Sequence, residues 1–67
     1  MNDEIKRIRD STSLSQSQFA KRYGIPLKTL KNWEQGRRDP DVAALTYLRV
    51  IEKMPEAIAL VVDQLVR

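Results

Sequence analysis

Two glycines and three prolines divide the chain into short segments of helical length. Gly24 and Gly36 each follow a segment with helical spacing of apolar residues, and glycine readily adopts the left-handed conformation that ends a helix. No stretch alternates apolar and polar residues for long enough to predict a strand. The sequence therefore predicts an all-α fold with helices at about residues 3–11, from Ser15 to Gly24, 26–35, from Asp39 or Asp41 to about Met54, and 55–66.

The second helix has the clearest start signal. Residues Ser15-Gln16-Ser17-Gln18 fit a capping box, in which the Ser15 hydroxyl accepts from the Gln18 amide and the Gln18 side chain bonds the Ser15 amide. The apolar residues of this helix are predicted to face the core: Phe19, Ala20 and Tyr23.

The third helix is predicted to begin at Pro26, because proline is tolerated in a first helical turn. Leu30 and Trp33 are expected on its inner face. Two short helices joined by a tight turn that contains glycine, the second with a polar outer face, are typical of a helix-turn-helix unit. This outer face is predicted to consist of Leu27, Lys28, Lys31, Asn32 and Gln35.

The fifth helix carries more apolar residues than one face can hold. Its first apolar stripe is predicted to be Ile58, Val61, Val62 and Leu65. Ala57, Leu60 and Val66 lie off that stripe, so the helix has more apolar surface than it needs to cover a small core. We expect a homodimer contact through Leu60, Val61 and Val66; a wider contact with the core is the alternative.

A chain of 67 residues can enclose one hydrophobic core, so we expect a single domain over residues 1–67. Without cysteine its stability must come from apolar packing, which suits a reducing cytoplasm. No apolar run approaches the roughly 20 residues of a membrane span, and Met1-Asn2-Asp3-Glu4 is unlike the start of a signal peptide. The expected location is the cytoplasm, in association with the nucleoid.

Charge is distributed unevenly along the chain. Within residues 21–38 only Glu34 is acidic, and the basic residues are Lys21, Arg22, Lys28, Lys31, Arg37 and Arg38. This asymmetry favours a polyanionic partner, although a solvated basic surface would look similar. An enzyme is not expected, because the chain has no His or Cys, no carboxylate pair placed over a pocket and no glycine-rich phosphate loop. No cofactor or metal is expected either.

Three separated motifs carry a resemblance to a known family: Leu14-Ser15-Gln16-Ser17-Gln18-Phe19-Ala20, Gly24-Ile25, and Thr29-Leu30-Lys31-Asn32-Trp33-Glu34-Gln35-Gly36-Arg37-Arg38-Asp39-Pro40. Together they resemble the Xre family of phage-repressor-like regulators, over residues 5 to about 60. The resemblance implies a lambda-repressor-like domain of five helices with the helix-turn-helix at the second and third. The last motif, followed by Pro55-Glu56-Ala57, is most similar to HigA-type antitoxins, which repress their own operon and neutralise a RelE-like toxin that cleaves messenger RNA.

The resemblance implies DNA contacts for particular residues. Base reading falls on Leu27, Lys28 and Asn32, with Lys31 close enough to help. The chemistry agrees, since Lys can donate to guanine, Asn can pair with adenine and Leu can contact a thymine methyl group. Gln16 is also expected to brace the recognition helix. The residues expected to contact phosphates are Ser15, Gln16, Lys21, Thr29, Arg37 and Arg38.

The resemblance further implies an ion pair between Arg9 and Glu34, which would join the first helix to the end of the recognition helix. Three positions depart from the family pattern: Ser13 replaces the usual Gly, Pro26 replaces Ser or Thr, and Met54 replaces a polar cap. Antitoxins of this group often add a segment that wraps the toxin ahead of this domain, and the present chain begins almost at the first helix.

These features predict a homodimeric repressor whose two recognition helices enter successive major grooves of double-stranded DNA at a palindromic operator. As the antitoxin, it would autoregulate a toxin–antitoxin operon and have a RelE-like or HigB-like toxin as a further partner. The alternative is a solitary or phage-encoded Xre-type regulator with no toxin partner.

Overall fold

All regular secondary structure is helical in the computed structural model, which describes residues 3–67. The helices are α1 Asp3–Thr12, α2 Gln16–Tyr23, α3 Leu27–Glu34, α4 Val42–Lys53 and α5 Pro55–Leu65. The predicted all-α fold with five helices is confirmed. Met1 and Asn2, the first residues of the segment compared with a signal peptide, lie outside the described part of the chain. None of the helices described is both long and apolar enough to cross a membrane.

One apolar core joins the helices. Its buried residues come from α1 to α4 and from the turn after α2: Ile5, Ile8, Phe19, Ala20, Tyr23, Ile25, Leu30, Leu48 and Ile51. Full burial of one large apolar side chain stabilises a fold by about 1.5–3 kcal/mol, so this cluster fixes α2 and α3 against a rigid support. The inner face of α3 is as predicted, with Leu30 fully buried and Trp33 half-buried against the core.

The turn between α1 and α2 uses hydroxyl groups to end α1. The Ser11 hydroxyl donates to the Ile8 carbonyl at 2.6 Å, and the Thr12 hydroxyl donates to the Arg9 carbonyl. Ser13 then takes a left-handed backbone conformation with a φ of 62°. This geometry explains why related sequences are expected to have glycine at this position, since a side chain with a Cβ atom is strained there.

Ser13→Gly is expected to stabilise the fold by about 0.5–1 kcal/mol. A left-handed non-glycine residue costs about 1–2 kcal/mol, and the greater freedom of glycine in the unfolded chain returns about 0.5–1 kcal/mol of that gain. Urea denaturation followed by circular dichroism measures the difference. Ser13→Ala is the control because it keeps the Cβ atom; an equal gain from both substitutions would exclude backbone strain as the cause.

The turn between α2 and α3 is set by local signals at both ends of α2. The capping box is present, with the Gln18 amide donating to the Ser15 hydroxyl at 3.1 Å and the Ser15 amide donating to the Gln18 side chain at 3.0 Å. Gly24 ends the helix in the left-handed conformation. Pro26 was predicted as the first residue of α3, but the helix begins at Leu27. Pro26 is instead the N-cap of α3, and it makes no side-chain hydrogen bond there.

Hydrogen bonds also fix where α4 and α5 begin. Of the two predicted caps for α4, Asp41 is the one that accepts from the Ala44 amide, at 2.8 Å. The Tyr47 hydroxyl donates to the Tyr23 carbonyl at 2.6 Å, and the Tyr23 hydroxyl donates to the Pro55 carbonyl at 3.2 Å. These two phenols tie the end of α2 to α4 and to the first turn of α5.

The predicted inner stripe of α5 is partly wrong. Val61 and Leu65, assigned to that stripe, are 48 % and 77 % exposed. The half-buried side of the helix instead carries Ile58, Ala59 and Val62. Apolar residues surround most of this short helix, so their spacing fits two faces, and the direction of the supporting helices decides which face is covered.

Candidate nucleic-acid interface

The recognition helix of the predicted helix-turn-helix is α3, and its outer face is accessible. Lys28 and Lys31 are exposed, and Thr29 and Asn32 are half-buried. Both lysines therefore extend into solvent and keep their full donor capacity, and Asn32 lies beside them on the same face.

Leu27 does not match its predicted position on the exposed face. It is half-buried and packs against the core cluster at the first residue of α3. Contact with a thymine methyl group is then restricted to the exposed part of the side chain.

The loop after α3 is folded back on the helix. Gly36 has a φ of 75°, its amide donates to the Trp33 carbonyl at 3.2 Å, and the Arg37 amide donates to the Asn32 carbonyl at 2.9 Å. This pattern is a Schellman motif, which satisfies carbonyl groups at the end of a helix. It holds the exposed side chains of Arg37 and Arg38 directly beyond the recognition helix.

The basic residues of this surface form no ion pair in the described part of the chain. Among residues 3–67, the ion pairs involve Arg7, Arg9, Arg49 and Arg67, and none of the four cations of α3 and its following loop. We call these four residues the basic face: Lys28, Lys31, Arg37 and Arg38. Unpaired cations on one side of a small domain form a field that attracts a polyanion.

Arg9 and Glu34 form a two-pronged ion pair at the edge of the interface. Arg9 Nε donates to Glu34 Oε2 at 2.7 Å, and Arg9 Nη2 donates to Glu34 Oε1 at 2.9 Å. The Glu34 side chain is only 6 % exposed and that of Arg9 is 14 % exposed. The pair thus fixes the last residue of α3 to the side of α1, so the tilt of the recognition helix depends on it.

Gln16 belongs to the same network. Its Nε2 donates to Glu34 Oε1 at 3.2 Å, which connects the first residue of α2 to the last residue of α3. A side-chain amide has two N–H groups, so one remains for a phosphate when the other bonds Glu34. The predicted bracing role of Gln16 is consistent with this contact.

One contact of this network was not predicted. Arg9 Nη1 donates to the Leu14 carbonyl at 3.1 Å, which ties the network to the turn before α2. A backbone carbonyl has no signature in the sequence, and its position depends on the left-handed conformation of Ser13.

Hydrogen bonding sets the acidity of Glu34. Burial alone raises the pKa of its carboxyl group, but the hydrogen bonds from Arg9 and Gln16, with the positive charges of Arg9 and Lys6, outweigh burial and lower that pKa below the ordinary value of 4.5. Glu34 is therefore ionised throughout the neutral range, and its charge is used within the protein rather than presented to a ligand.

The stability of the fold is expected to fall at acid pH through Glu34. A carboxyl group whose folded pKa is lowered contributes stability that is fully present above its unfolded pKa, near 4.5, and is lost as the pH falls through the folded pKa. Urea midpoints measured between neutral pH and pH values below that range should therefore drop more steeply in the wild type than in Glu34→Gln. Asp63→Asn is a control from an exposed pair; a wild-type slope unchanged by Glu34→Gln would contradict the assignment.

The remaining predicted contact residues lie in two places. The Ser15 hydroxyl accepts from the Gln18 amide, and Ser15 remains exposed beside Gln16. Lys21 lines a hollow between α2 and α5, on a side that includes no residue of α3 among those described. Leu60 and Val66, predicted in a dimer contact, line that same hollow, whereas Val61 does not.

Comparison with known proteins identifies similar chains. The profile of a helix-turn-helix family matches residues 5–46. Antitoxin HigA-2 of Vibrio cholerae serotype O1 is 39 % identical over 57 residues, which is 85 % of this chain and 55 % of the antitoxin. The uncharacterized HTH-type transcriptional regulator YiaG of Escherichia coli K12 is 35 % identical over 52 residues, or 78 % of this chain and 54 % of YiaG.

A solved structure is similar as well. The crystal structure of an HTH XRE-family like protein from Agrobacterium tumefaciens superimposes with a TM-score of 0.84 at 48 % identity, covering 87 % of this chain and 94 % of that one. The chain thus spans nearly the whole of this structural neighbour but only about half the length of the curated relatives it matches.

Proposed function

The chain belongs to the Xre-type helix-turn-helix family of transcriptional regulators, and on that premise we propose that it is a sequence-specific repressor that binds double-stranded DNA through α3. The observation that carries the proposal is the basic face, whose four cations form no ion pair within residues 3–67 and flank Asn32. Membership of this family also indicates a protein that is not an enzyme.

The division of labour on the DNA follows from exposure and position. Lys28 and Asn32, with Lys31 and the exposed part of Leu27, are proposed to read bases, since they lie on the outer face of α3. Arg37 and Arg38 are proposed to bind phosphates, since the Schellman motif fixes them beyond the end of the helix. Phosphate contacts set the register of a protein on the duplex, and base contacts set its sequence preference.

Other phosphate contacts are proposed at the start of α2 and α3. Gln16 keeps one N–H group for a phosphate, and Ser15 and Thr29 lie at the beginnings of the two helices. Lys21 lies on the side of α2 toward α5, in a hollow that includes no described residue of α3. It is therefore proposed only as a long-range attraction.

We propose that two copies bind together on a palindromic operator, with α5 in the dimer contact. The exposed apolar residues of α5 support this assembly: Leu60, Val61, Leu65 and Val66. Two helix-turn-helix units joined by a two-fold axis contact half-sites about one helical turn apart, so the operator should be an inverted repeat.

The proposal is tested by exposing the chain to a pool of random duplexes at physiological salt and sequencing the bound fraction. We expect an enriched inverted repeat, with half-sites about 10 base pairs apart. Enrichment of single half-sites would support sequence-specific DNA recognition but contradict the proposed dimer. Binding without any enriched motif would contradict sequence-specific repression.

Val61→Asp is expected to weaken the dimer at least tenfold, because it places a charge in an apolar contact. Val42→Asp is the matched control, since Val42 is an exposed valine of α4, 83 % accessible, outside the proposed contact. Sedimentation velocity over a range of concentrations measures both variants. Equal behaviour of the two would show that Val61 is not part of the contact.

An antitoxin role is proposed from the relationship to HigA-2, whose name describes it as an antitoxin. The protein would then repress its own operon on nucleoid DNA in the cytoplasm and bind a RelE-like or HigB-like toxin. The relationship to YiaG, described as a transcriptional regulator, favours the alternative of a solitary regulator. Growth arrest by the product of an adjacent gene, relieved by co-expression of this chain, would support the antitoxin role, whereas no arrest and no relief would support the solitary regulator.

A further inference from the structure

A groove of about 730 Å³ runs between α2 and α5, and we call it the α2–α5 groove. Leu14, Ala59 and Val62 are half-buried and form its apolar floor. A Cβ atom placed on Gly24 would lie 3.5 Å from Val62 Cγ1, so α5 packs directly against the end of α2. The two helices therefore present one continuous surface.

The α2–α5 groove is continuous with the proposed dimer contact. Leu60 and Val66 belong to that contact and also line the groove, and they are 60 % and 74 % exposed. Exposed apolar residues that lie together on a small domain mark a surface that a partner covers. A second copy that covers these two residues lies over the groove, so the contact extends from α5 to α2.

The two walls of the groove carry opposite charges. Lys21 and Arg22 of α2 line one side, and Glu56 and Asp63 of α5 line the other. The first three form no ion pair in the described part of the chain. Asp63 accepts from Arg67 at 2.7 Å, but both side chains are exposed, and such pairs contribute little. The charges of both walls thus remain available to a partner.

We propose that a second copy of this chain covers the α2–α5 groove, with the cationic wall of each copy against the acidic wall of the other. The inference rests on the dimer of the proposed function and adds α2 to its contact. In a twofold contact each patch meets the same patch of the partner. A twofold axis along the groove brings walls of unlike charge together, whereas an axis across the groove brings like walls together. The charges therefore select one arrangement of the two copies.

This arrangement leaves the DNA surface of both copies free. Among the residues that the structure describes, none from α3 or from the loop at 36–41 lines the groove. Complementary charges across an interface fix the register of two partners. The same ion pairs would therefore set the separation of the two recognition helices and, with it, the half-site spacing that the dimer accepts.

Two complementary charge reversals test the proposal by sedimentation velocity in the absence of DNA. The first reverses the cationic wall, as Lys21→Glu with Arg22→Glu, and the second reverses the acidic wall, as Glu56→Lys with Asp63→Lys. Each variant alone should dimerise about tenfold more weakly or worse, because like charges then face each other. An equimolar mixture of the two should associate as tightly as the wild type, since each wall again meets a wall of unlike charge.

Single substitutions keep the test decisive if circular dichroism shows that a double variant does not fold. Arg22→Glu and Glu56→Lys should each weaken self-association, and their mixture should recover it. Lys53→Glu is the matched control for Arg22→Glu, since it reverses an exposed cation of α4 that does not line the groove. It should associate like the wild type.

The outcomes separate this inference from the dimer itself. A wild-type chain that stays monomeric at every concentration would overturn both. Self-association of Arg22→Glu equal to that of Lys53→Glu would overturn only the inference and leave α5 alone as the contact. Weakened variants whose mixture does not recover would also overturn it, because the charges would then act within one chain and not between two copies.

Discussion

Glu34→Ala is expected to destabilise the fold by about 3 kcal/mol, the lower end of the cost of breaking a buried ion pair by removing one partner, because this pair is half-buried. Domains of this kind have a total stability of roughly 0.05–0.15 kcal/mol per residue. For a chain of 67 residues the total is about 3–10 kcal/mol, so a loss of this size removes a large part of the stability and should markedly lower the thermal midpoint.

The cost arises from Arg9 rather than from the lost carboxylate. Without Glu34, the Arg9 guanidinium stays in a site where its side chain is 14 % exposed, and only the Leu14 carbonyl still accepts from it. The acidic neighbour that remains is the exposed Asp10, whose Oδ1 lies 3.9 Å from Arg9 Nη1, so a largely dehydrated charge keeps only a weak partner that solvent screens. Gln16 also loses the acceptor that connects α2 to the end of α3.

Replacing both partners separates the charge effect from packing. Arg9→Met with Glu34→Leu removes the buried charges together and fills similar space, so this double variant should recover most of the lost stability. Asp63→Ala is a control from an exposed pair and should change stability by less than about 1 kcal/mol. Urea denaturation measures all four proteins. A double variant as unstable as Glu34→Ala would show that packing around the pair, and not the unpaired charge, causes the loss.

The elements predicted most accurately are those with local signals. The capping box at Ser15 and the left-handed Gly24 fix the ends of α2 through residues only a few positions apart, so the sequence alone is sufficient to place them. The start of α3 was displaced by one residue because Pro26 is compatible with either an N-cap or a first helical position. The half-burial of Leu27 against the core depends on how α3 packs and has no local signal in the sequence.

Packing decides what periodicity leaves open. Apolar residues occupy nearly every side of α5, and only its contacts with α2 and α4 determine that Val62 faces inward while Val61 and Leu65 face outward. The same packing forms the hollow between α2 and α5. It could not be predicted, because its lining residues Leu14 and Val62 are far apart in the sequence. The pairing of Arg9 with Glu34 was expected only from family resemblance, because a separation of 25 residues has no local signal.

Lys28→Ala and Asn32→Ala are each expected to lower the preference for the cognate operator by about 1–3 kcal/mol, roughly 5- to 150-fold, because a good contact to a base edge discriminates by that amount. Binding to unrelated duplexes should change far less. Arg37→Ala should instead weaken binding to all duplexes to a similar extent and reduce the salt slope of the affinity by about one, the effect of losing one phosphate contact.

The comparison requires titration of each variant with cognate and scrambled duplexes at several salt concentrations. Lys53→Ala is the matched control for Lys28→Ala, since it removes the same charge from an exposed site on α4, away from the basic face. Its effect should be a small and uniform loss of affinity through the long-range field. If Lys28→Ala behaved like Lys53→Ala, with equal losses on both duplexes, Lys28 would act as a general cation and the base-reading surface would have to be reassigned. If Arg37→Ala lowered only cognate binding, the loop after α3 would read sequence, and its Schellman motif would position a base contact rather than a phosphate clamp.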